Sequence, residues 1–395
     1  MKIVFLLSRF PYPLEKGDKL RAYQHLRNLY ASGNEVHLFA ISDLDPSAES
    51  IAKVQPFCKT ISIFRLNALD IFLNLTFSFS RKLPLQVGYF YSKAIHNEIE
   101  KKIREIQPDL IYGQLIRTAL YLKNFNNFPR IIDYQDAFSK GTFQRMQNAP
   151  GLYKLIYGRE LKLVKEFEKQ SYEWFDGHII ISDQDRSALN VDAGKKVFVI
   201  PNGIDTTFFK PEKGTNLFEI TFVGNMNYPP NIDSALFLVN EIMPIVWKKI
   251  PGARVQIGGA NPSTAVRNLA STKVTVTGWV DDIRECYKNT VVFIAPMRIG
   301  TGLQNKLLEA MAMQIPCITT PLSFEPLKAQ ENKDILVGST ATELAGHLIS
   351  LLSDENLRKR VALSGYEFIR KNYSMEHSKE MLSDVIRMTF EKRKH

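Results

Sequence analysis

Residues 291–320, VVFIAPMRIGTGLQNKLLEAMAMQIPCITT, hold the densest set of chemistry-bearing side chains in this 395-residue chain. Their order reads as strand, glycine loop, helix, strand. Gly300-Thr301-Gly302 lets backbone approach a ligand closely. A helix starting near Gln304 offers free N–H groups and the positive end of its dipole, and both favour a phosphate. Lys306 falls in the first turn, where the dipole disfavours a cation. An anion at the site would explain that local conflict. Glu309, one turn later, is spaced to accept hydrogen bonds from ribose hydroxyls. Together these residues suit a nucleoside diphosphate. The competing reading is an ordinary glycine turn followed by a solvated lysine.

Two better-known phosphate motifs are absent from this segment. G-x-G-x-x-G fails because Asn305 stands at the third glycine, and the segment sits late in its domain. The P-loop pattern fails because Asn305 and Leu307 replace its second glycine and its metal-holding Ser/Thr. A dinucleotide oxidoreductase and a P-loop ATPase are therefore disfavoured.

The elements that must position such a site follow an α/β grammar. Lys2 to Leu7 reads as a buried strand ending at a Pro-rich loop. Lys16-Gly17-Asp18 opens a helix with Leu20, Tyr23, Leu26 and Tyr30 on one face, and Glu35 to Ile41 is the next strand. That βαβ unit implies a parallel sheet. Asp109 to Tyr112, Arg130 to Tyr134, Gly177 to Ile181 and Val197 to Ile200 continue the strands, and Tyr153 to Trp174 is a long amphipathic helix. Pro201-Asn202-Gly203 is the expected interdomain turn. The grammar then restarts with strands Phe218–Val223, Arg254–Ile257, Val274–Thr277, Val291–Ala295 and Cys317–Thr319. Helices are expected over Ser234–Lys249 and Leu307–Met313. Two α/β domains is the economical reading.

Composition bounds the function. The chain is 45% hydrophobic and 23% charged, a globular balance, with a formal net charge of +10. The basic excess suits anionic partners or marks an uncommitted basic surface. Three separated cysteines, Cys58, Cys286 and Cys317, form neither a zinc pattern nor a disulfide framework, which fits a reducing cytoplasm. The apolar start, Ile3 to Leu7, is too short for a signal peptide. No run reaches the roughly 18 apolar residues of a membrane span.

Several segments in this order resemble one family. They are FPYPLEKGDKLRAYQHLRNL, RIIDYQDAFS, SDQDRSALN, VIPNGIDTTFF, FVGNMNYPPNIDSALFLVNEIMP, VTGWVDDIRECY and APMRIGTGLQNKLLEAMAM. The chain is similar to family-four sugar transferases of GT-B architecture. It looks closest to bacterial sugar transferases that accompany exopolysaccharide and PEP-CTERM/exosortase systems. The resemblance implies two Rossmann-like domains facing across a cleft: residues 1–200 for the acceptor, residues 201–374 for a nucleotide-sugar, and a helix from 375 crossing back to the N-terminal domain.

Residue by residue, Glu309 matches the second acid of the family's paired-glutamate motif and would hold the ribose. The first acid would fall at Thr301, so that carboxylate is missing. The family's basic pair after the first strand of the second domain is also missing, since Gly224-Asn225-Met226-Asn227-Tyr228 stands there. Lys306 and Arg298 are the substitutes for phosphate neutralisation. Backbone around Val280 would read the base. Gly302, Leu303, Gln304 and Asn305 complete the donor loop with Gly300 and Thr301.

In the N-terminal domain Gly17 corresponds to the glycine loop that meets the diphosphate, and Lys16, Asp18 and Lys19 are acceptor-side or phosphate candidates. Asp136 could act as base or orienting group toward the acceptor; its alternative role is a helix N-cap. Asp43-Leu44-Asp45 is read as a loop. The aromatic stretch 69–91 is a candidate interfacial patch.

The expected activity is transfer of a sugar, with retention, to a cell-envelope or exopolysaccharide acceptor that is a saccharide or polyprenyl-linked. No cofactor, metal or nucleic acid is expected, and contact with the inner membrane surface is. The alternatives are a GT-B nucleotide-sugar epimerase and a non-catalytic nucleotide-sugar-binding protein.

Overall fold

The computed structural model describes residues 1–189, 191, 194, 196–212, 214–299 and 302–393. They form two compact units. The first contains Met1–Asn202 together with Ser378–His395, and the second Gly203–His377.

Seven described strands build the first unit's sheet: β1 Lys2–Leu7, β2 Glu35–Ser42, β3 Thr60–Arg65, β4 Leu110–Gln114, β5 Arg130–Asp133, β6 Gly177–Ile180 and β7 Phe198–Val199. All pairs are parallel, in the order β3-β2-β1-β4-β5-β6-β7. The near-continuous apolar runs are what a parallel sheet covered on both faces requires. Ile3 to Leu6 are fully buried. The odd residues Ile3, Phe5 and Leu7 share a core with Ala22, Leu26 and Leu29 of the helix Gly17–Ala31. Leu382, Val385 and Ile386 of the C-terminal helix Met375–Lys392 complete that core. The even residues Val4 and Leu6 face a second core under the helix Lys93–Ile106.

The second unit's described strands are β8 Phe218–Val223, β9 Val255–Gly258, β10 Val274–Gly278, β11 Thr290–Ala295, β12 Cys317–Thr319 and β13 Leu336–Val337. They too are parallel, in the order β10-β9-β8-β11-β12-β13. Both sheets are therefore doubly wound, and in each the strand order reverses beside the first strand. Ligands of such sheets bind beyond the C-terminal strand ends at that switch point. In the first unit the point lies between β1 and β4, and in the second between β8 and β11.

One local expectation differs from the structure and another holds in part. Ser234–Lys249 is not one regular helix. It starts earlier, at Pro229, and runs as Pro229–Phe237, a π-helical turn Leu238–Ile242, and Met243–Lys249. Pro244 has no N–H to give to the preceding turn, so the ladder widens there. The stretch 69–91 forms two helices, Ala68–Ser80 and Leu85–Phe90. The second buries Val87 and Phe90, whereas the first leaves Phe72 and Leu73 exposed, so the stretch is core in one part and surface in the other.

Candidate functional site

The second unit's switch point collects most of the expected donor residues. β8 ends at Val223, and the next turn brings Gly224 and Asn225 to the sheet edge. Gly224 is pinned there, because its N–H donates to Gly258 O at 3.0 Å. A Cβ on Gly224 would lie 2.6 Å from Asn231 Nδ2, so only glycine fits without displacing that amide. Gly259 has φ +126°, and a Cβ on it would lie 2.0 Å from Gly224 O. Two glycines thus let the ends of β8 and β9 close on each other.

Asn231 sits in the first turn of the helix after β8 and is buried. Its Nδ2 donates to Asn225 O at 3.0 Å, and its Oδ1 accepts from Lys306 Nζ at 2.6 Å. Lys306 belongs to the helix Asn305–Ala312, which follows β11. Its ammonium also lies 4.7 Å from the centroid of the Phe222 ring. Burial lowers its pKa to about 8, while the charge of Glu309 opposes that shift. Lys306 is thus not a solvated helix lysine. The Asn231 amide holds its ammonium at the strand edge, where burial makes it easier to deprotonate than a solvated lysine.

Glu309, one turn further on, accepts a 2.6 Å hydrogen bond from the Tyr287 hydroxyl. Burial raises the Glu309 pKa, against the Tyr287 bond and the Lys306 charge. Tyr287 is fully buried on the short helix Arg284–Lys288, packed on Phe293 and Phe209. Burial, then the neighbouring Glu309, push its hydroxyl well above the ordinary range. It therefore stays a donor, which keeps one carboxylate oxygen fixed.

At the loop itself, Gly302 has φ +83° and Gln304 takes the cap position with no side-chain capping bond. Gln304 Nε2 donates to Gly302 O at 3.3 Å. Leu303 packs against the unit's core. Gly300 and Thr301 lie outside the described residues. Val280 follows Gly278, whose φ is +71°, and is half-buried beside exposed Trp279.

Arg298 departs from its expected part. Its fork is taken by Asp233, with Nε–Oδ2 at 3.1 Å and Nη2–Oδ1 at 2.8 Å, and its Nη1 donates to Glu241 at 3.1 Å. Two carboxylates on the helical stretch after β8 neutralise it, and the Phe237 ring stacks on it at 4.1 Å. The geometry makes it a surface tie rather than a phosphate ligand, because the planar fork is already matched.

The first unit's switch point is built differently. Asp133, the last residue of β5, is fully buried and takes Arg21 Nε at 2.7 Å and Nη2 at 3.1 Å. Arg21 Nη1 donates to Ile200 O at 2.8 Å and Asn202 Oδ1 at 3.1 Å. His25 Nδ1 lies 2.7 Å from the Tyr112 hydroxyl, and burial, then Arg21, lower its pKa to about 3. His25 is therefore a neutral member of the cluster.

Asp133 Oδ1 also accepts from the Gln135 N–H at 2.9 Å, and Gln135 has φ +60°. That turn presents Asp136, whose Oδ2 accepts from Gln135 Nε2 at 2.9 Å. Asp136 reaches solvent, yet surrounding chain crowds its carboxyl. That crowding, and next Asp185, raise its pKa. It does not cap the helix Phe138–Asn148, which has no side-chain cap.

Around the helix Gly17–Ala31, Lys16 holds the cap position without a capping bond, and it and Gly17 are exposed. Lys19 is half-buried. Asp18 pairs with Arg9 at 2.8 Å, and its carbonyl accepts from Gln114 Nε2 at 3.0 Å. Asp43-Leu44-Asp45 is a loop after β2, in which Asp45 pairs with Arg65. Among the described residues, no group of three His, Cys, Asp or Glu side chains is placed to hold a metal ion.

The sequence reading missed Asn231, Tyr287, Arg21 and Asp133. Only Arg21 left a signal: with His25 it forms an i, i+4 pair on the apolar face carrying Ala22, Leu26 and Leu29.

Comparison with known proteins agrees with this fold. Residues 218–354 match the family described as glycosyl transferases group 1, and residues 20–208 match glycosyltransferase family 4. A curated relative is 22% identical over 98% of this chain and 99% of its own length. It is an uncharacterized 44.6 kDa protein in a cps region of Klebsiella pneumoniae. Among solved structures, a glycosyltransferase from Rickettsia africae ESF-5 has a TM-score of 0.69 at 13% identity over 98% of each chain. Anabaena Alr3699/HepE in complex with UDP has a TM-score of 0.67 at 14% identity, covering 98% of this chain and 99% of that one. Sucrose-phosphate synthase from Thermosynechococcus elongatus has 0.66 at 16% identity over 99% of each. Two doubly wound units of this kind define the GT-B fold. The chain is a GT-B glycosyltransferase.

Proposed function

We propose that the protein transfers a sugar, as a hexosyltransferase acting with retention, from a nucleoside diphosphate sugar to a cell-envelope or exopolysaccharide acceptor, either a saccharide or a polyprenyl-linked one. The observation that carries this reading is the Asn231–Lys306 contact beside the Tyr287–Glu309 contact at the second unit's switch point. The UDP and UDP-glucose complexes of Anabaena HepE support a nucleotide-sugar donor, and the relative from a cps region supports a polysaccharide acceptor.

In this reading Glu309 accepts from the ribose hydroxyls with the carboxylate oxygen that Tyr287 leaves free. Gly224, Asn225 and the loop from Gly302 to Asn305 lie along the diphosphate, and backbone beside Val280 reads the base. During transfer the bond from anomeric carbon to phosphate oxygen breaks, and the acceptor oxygen bonds the same carbon. Negative charge then grows on the diphosphate. The helix N-terminus and Lys306 meet it, and such pre-placed charge stabilisation is commonly the largest part of catalysis. The acceptor proton passes to the leaving phosphate oxygen, and we assign Asp136 of the first unit, with Lys16, Asp18 and Lys19, to orienting the acceptor. No metal is needed for this step.

Purified protein incubated with a panel of nucleotide-sugars tests the reading. A matched donor at 100 times its Kd should raise stability by about 2.7 kcal/mol and shift the melting temperature accordingly. With acceptor it should release the nucleoside diphosphate at a rate unaffected by a chelator. A panel that neither binds nor turns over would overturn the proposal.

A further inference from the structure

From residue 137 to residue 159 the chain carries Lys140, Arg145, Lys154 and Arg159 and no acidic residue. This stretch folds as a helical hairpin in the first unit, Phe138–Asn148 and Leu152–Tyr172, turning at Gly151. The far half of the second helix is anchored, with Val164 and Phe167 in the core. The tip is not. Leu152 is 72% exposed, Leu155 71%, Tyr153 63%, Ile156 49% and Phe143 43%. Between the helices lies an open groove of about 640 Å³ whose lining includes Arg145, Tyr153 and Tyr157.

Single exposed apolar residues are ordinary, but five within fourteen positions at one projecting tip are not. Among the cations, Lys140 pairs with Asp185 at 3.1 Å, while Arg145 and Lys154 are exposed beside the apolar residues. An apolar tip flanked by the exposed cations Arg145 and Lys154 matches the interface of an anionic bilayer, where apolar side chains enter the headgroup boundary and basic ones meet phosphates. Among the described residues no helix is long and apolar enough to cross a membrane, so the contact is with its surface.

A second strip adjoins this surface. The Glu160 carboxylate accepts from the Leu85 N–H at 2.9 and 3.1 Å, tying the turn that carries exposed Arg81 and Lys82 to the long helix. Phe72, 65% exposed, and Leu73 stand on the helix before that turn.

We propose that the 143–156 hairpin tip docks on an anionic lipid surface, with Leu152, Leu155 and Ile156 inserted and Arg145 and Lys154 on lipid phosphates. The proposal rests on this surface alone and not on the donor chemistry.

Flotation of the full chain with phosphatidylcholine vesicles, with and without phosphatidylglycerol, tests it. The wild type should float with the anionic vesicles and be released by salt. The Leu152→Ser/Leu155→Ser/Ile156→Ser variant should need about tenfold more lipid or worse, and Arg145→Glu/Lys154→Glu should lose binding to a similar degree. These side chains are exposed, so circular dichroism should match the wild type. Absence of wild-type binding to anionic vesicles would overturn the proposal. So would binding that survives the triple substitution but is lost in Phe72→Ser/Leu73→Ser. A wild-type dimer in sedimentation velocity that the triple variant dissolves, with vesicle binding unchanged, would instead make the tip a contact between copies.

Discussion

The Tyr287 hydroxyl donates to Glu309 Oε2 at 2.6 Å, across 22 residues of sequence. One oxygen of the carboxylate is thereby committed to the protein, and the other is the one proposed to take the ribose. Glu309→Gln should weaken nucleotide-sugar binding by about 1.5–3 kcal/mol, the worth of one charge-assisted hydrogen bond, with the fold intact. Unchanged affinity in calorimetry would remove Glu309 from the site.

Tyr287→Phe should act through Glu309. The hydroxyl bond lowers the Glu309 pKa against burial, so its loss moves that pKa further up. As pH falls, donor affinity should therefore decline at a higher pH in Tyr287→Phe than in the wild type. Superimposable profiles would show that the tyrosine only fills space.

Lys306 has Asn231 as its polar partner and a diphosphate as its proposed ligand. Lys306→Ala should lower kcat/KM by roughly 10²-fold or more, the scale of losing one pre-organised charge stabiliser. Lys306→Arg should restore activity only in part, because the guanidinium is larger and planar. Steady-state kinetics with a circular dichroism control decides this, and wild-type turnover in Lys306→Ala would end the assignment.

The same lysine sets a pH dependence. Its pKa lies at about 8 in the free protein, below the usual lysine value. It is charged below that pH and neutral above it, so kcat/KM, which reports the free enzyme, should fall as pH rises through about 8. For stability the sign is opposite. Between about 8 and the ordinary lysine value the unfolded chain binds more protons, so this group's contribution to stability rises with pH across that window. Lys306→Met should abolish both effects.

Arg21 and Asp133 predict a stability cycle. Arg21→Met leaves a buried carboxylate without its cation and should cost about 3–5 kcal/mol in urea denaturation. Arg21→Met/Asp133→Leu should cost less than the sum of the two single changes, because neither charge is then left alone. Additive losses would mean that the pair is not coupled.

Much of the fold was legible locally. Phe218–Val223 and Cys317–Thr319 are strands with the expected bounds, and the helix after the glycine loop begins at Asn305, one residue from where its signal places it. Short apolar runs and glycine stops carry that information because they act over a few residues. Glu309 and Lys306 were legible for the same reason, since one helix sets their spacing.

The chain by itself determined two parallel α/β units and a helix start with a cation and an acid one turn apart. Tertiary structure alone decided which polar groups meet. Asn231 reaches Lys306 across 75 residues because β8 and β11 are neighbours, and Arg21 reaches Asp133 across 112 because the first helix lies over the end of β5. It also turned Arg298 from an expected phosphate ligand into the partner of Asp233 and Glu241. Strand order is set by which faces bury together over the whole chain, and no local pattern encodes it. A buried polar group takes whatever partner that packing brings within 3 Å or so, because leaving it unpaired costs more than most single contacts contribute.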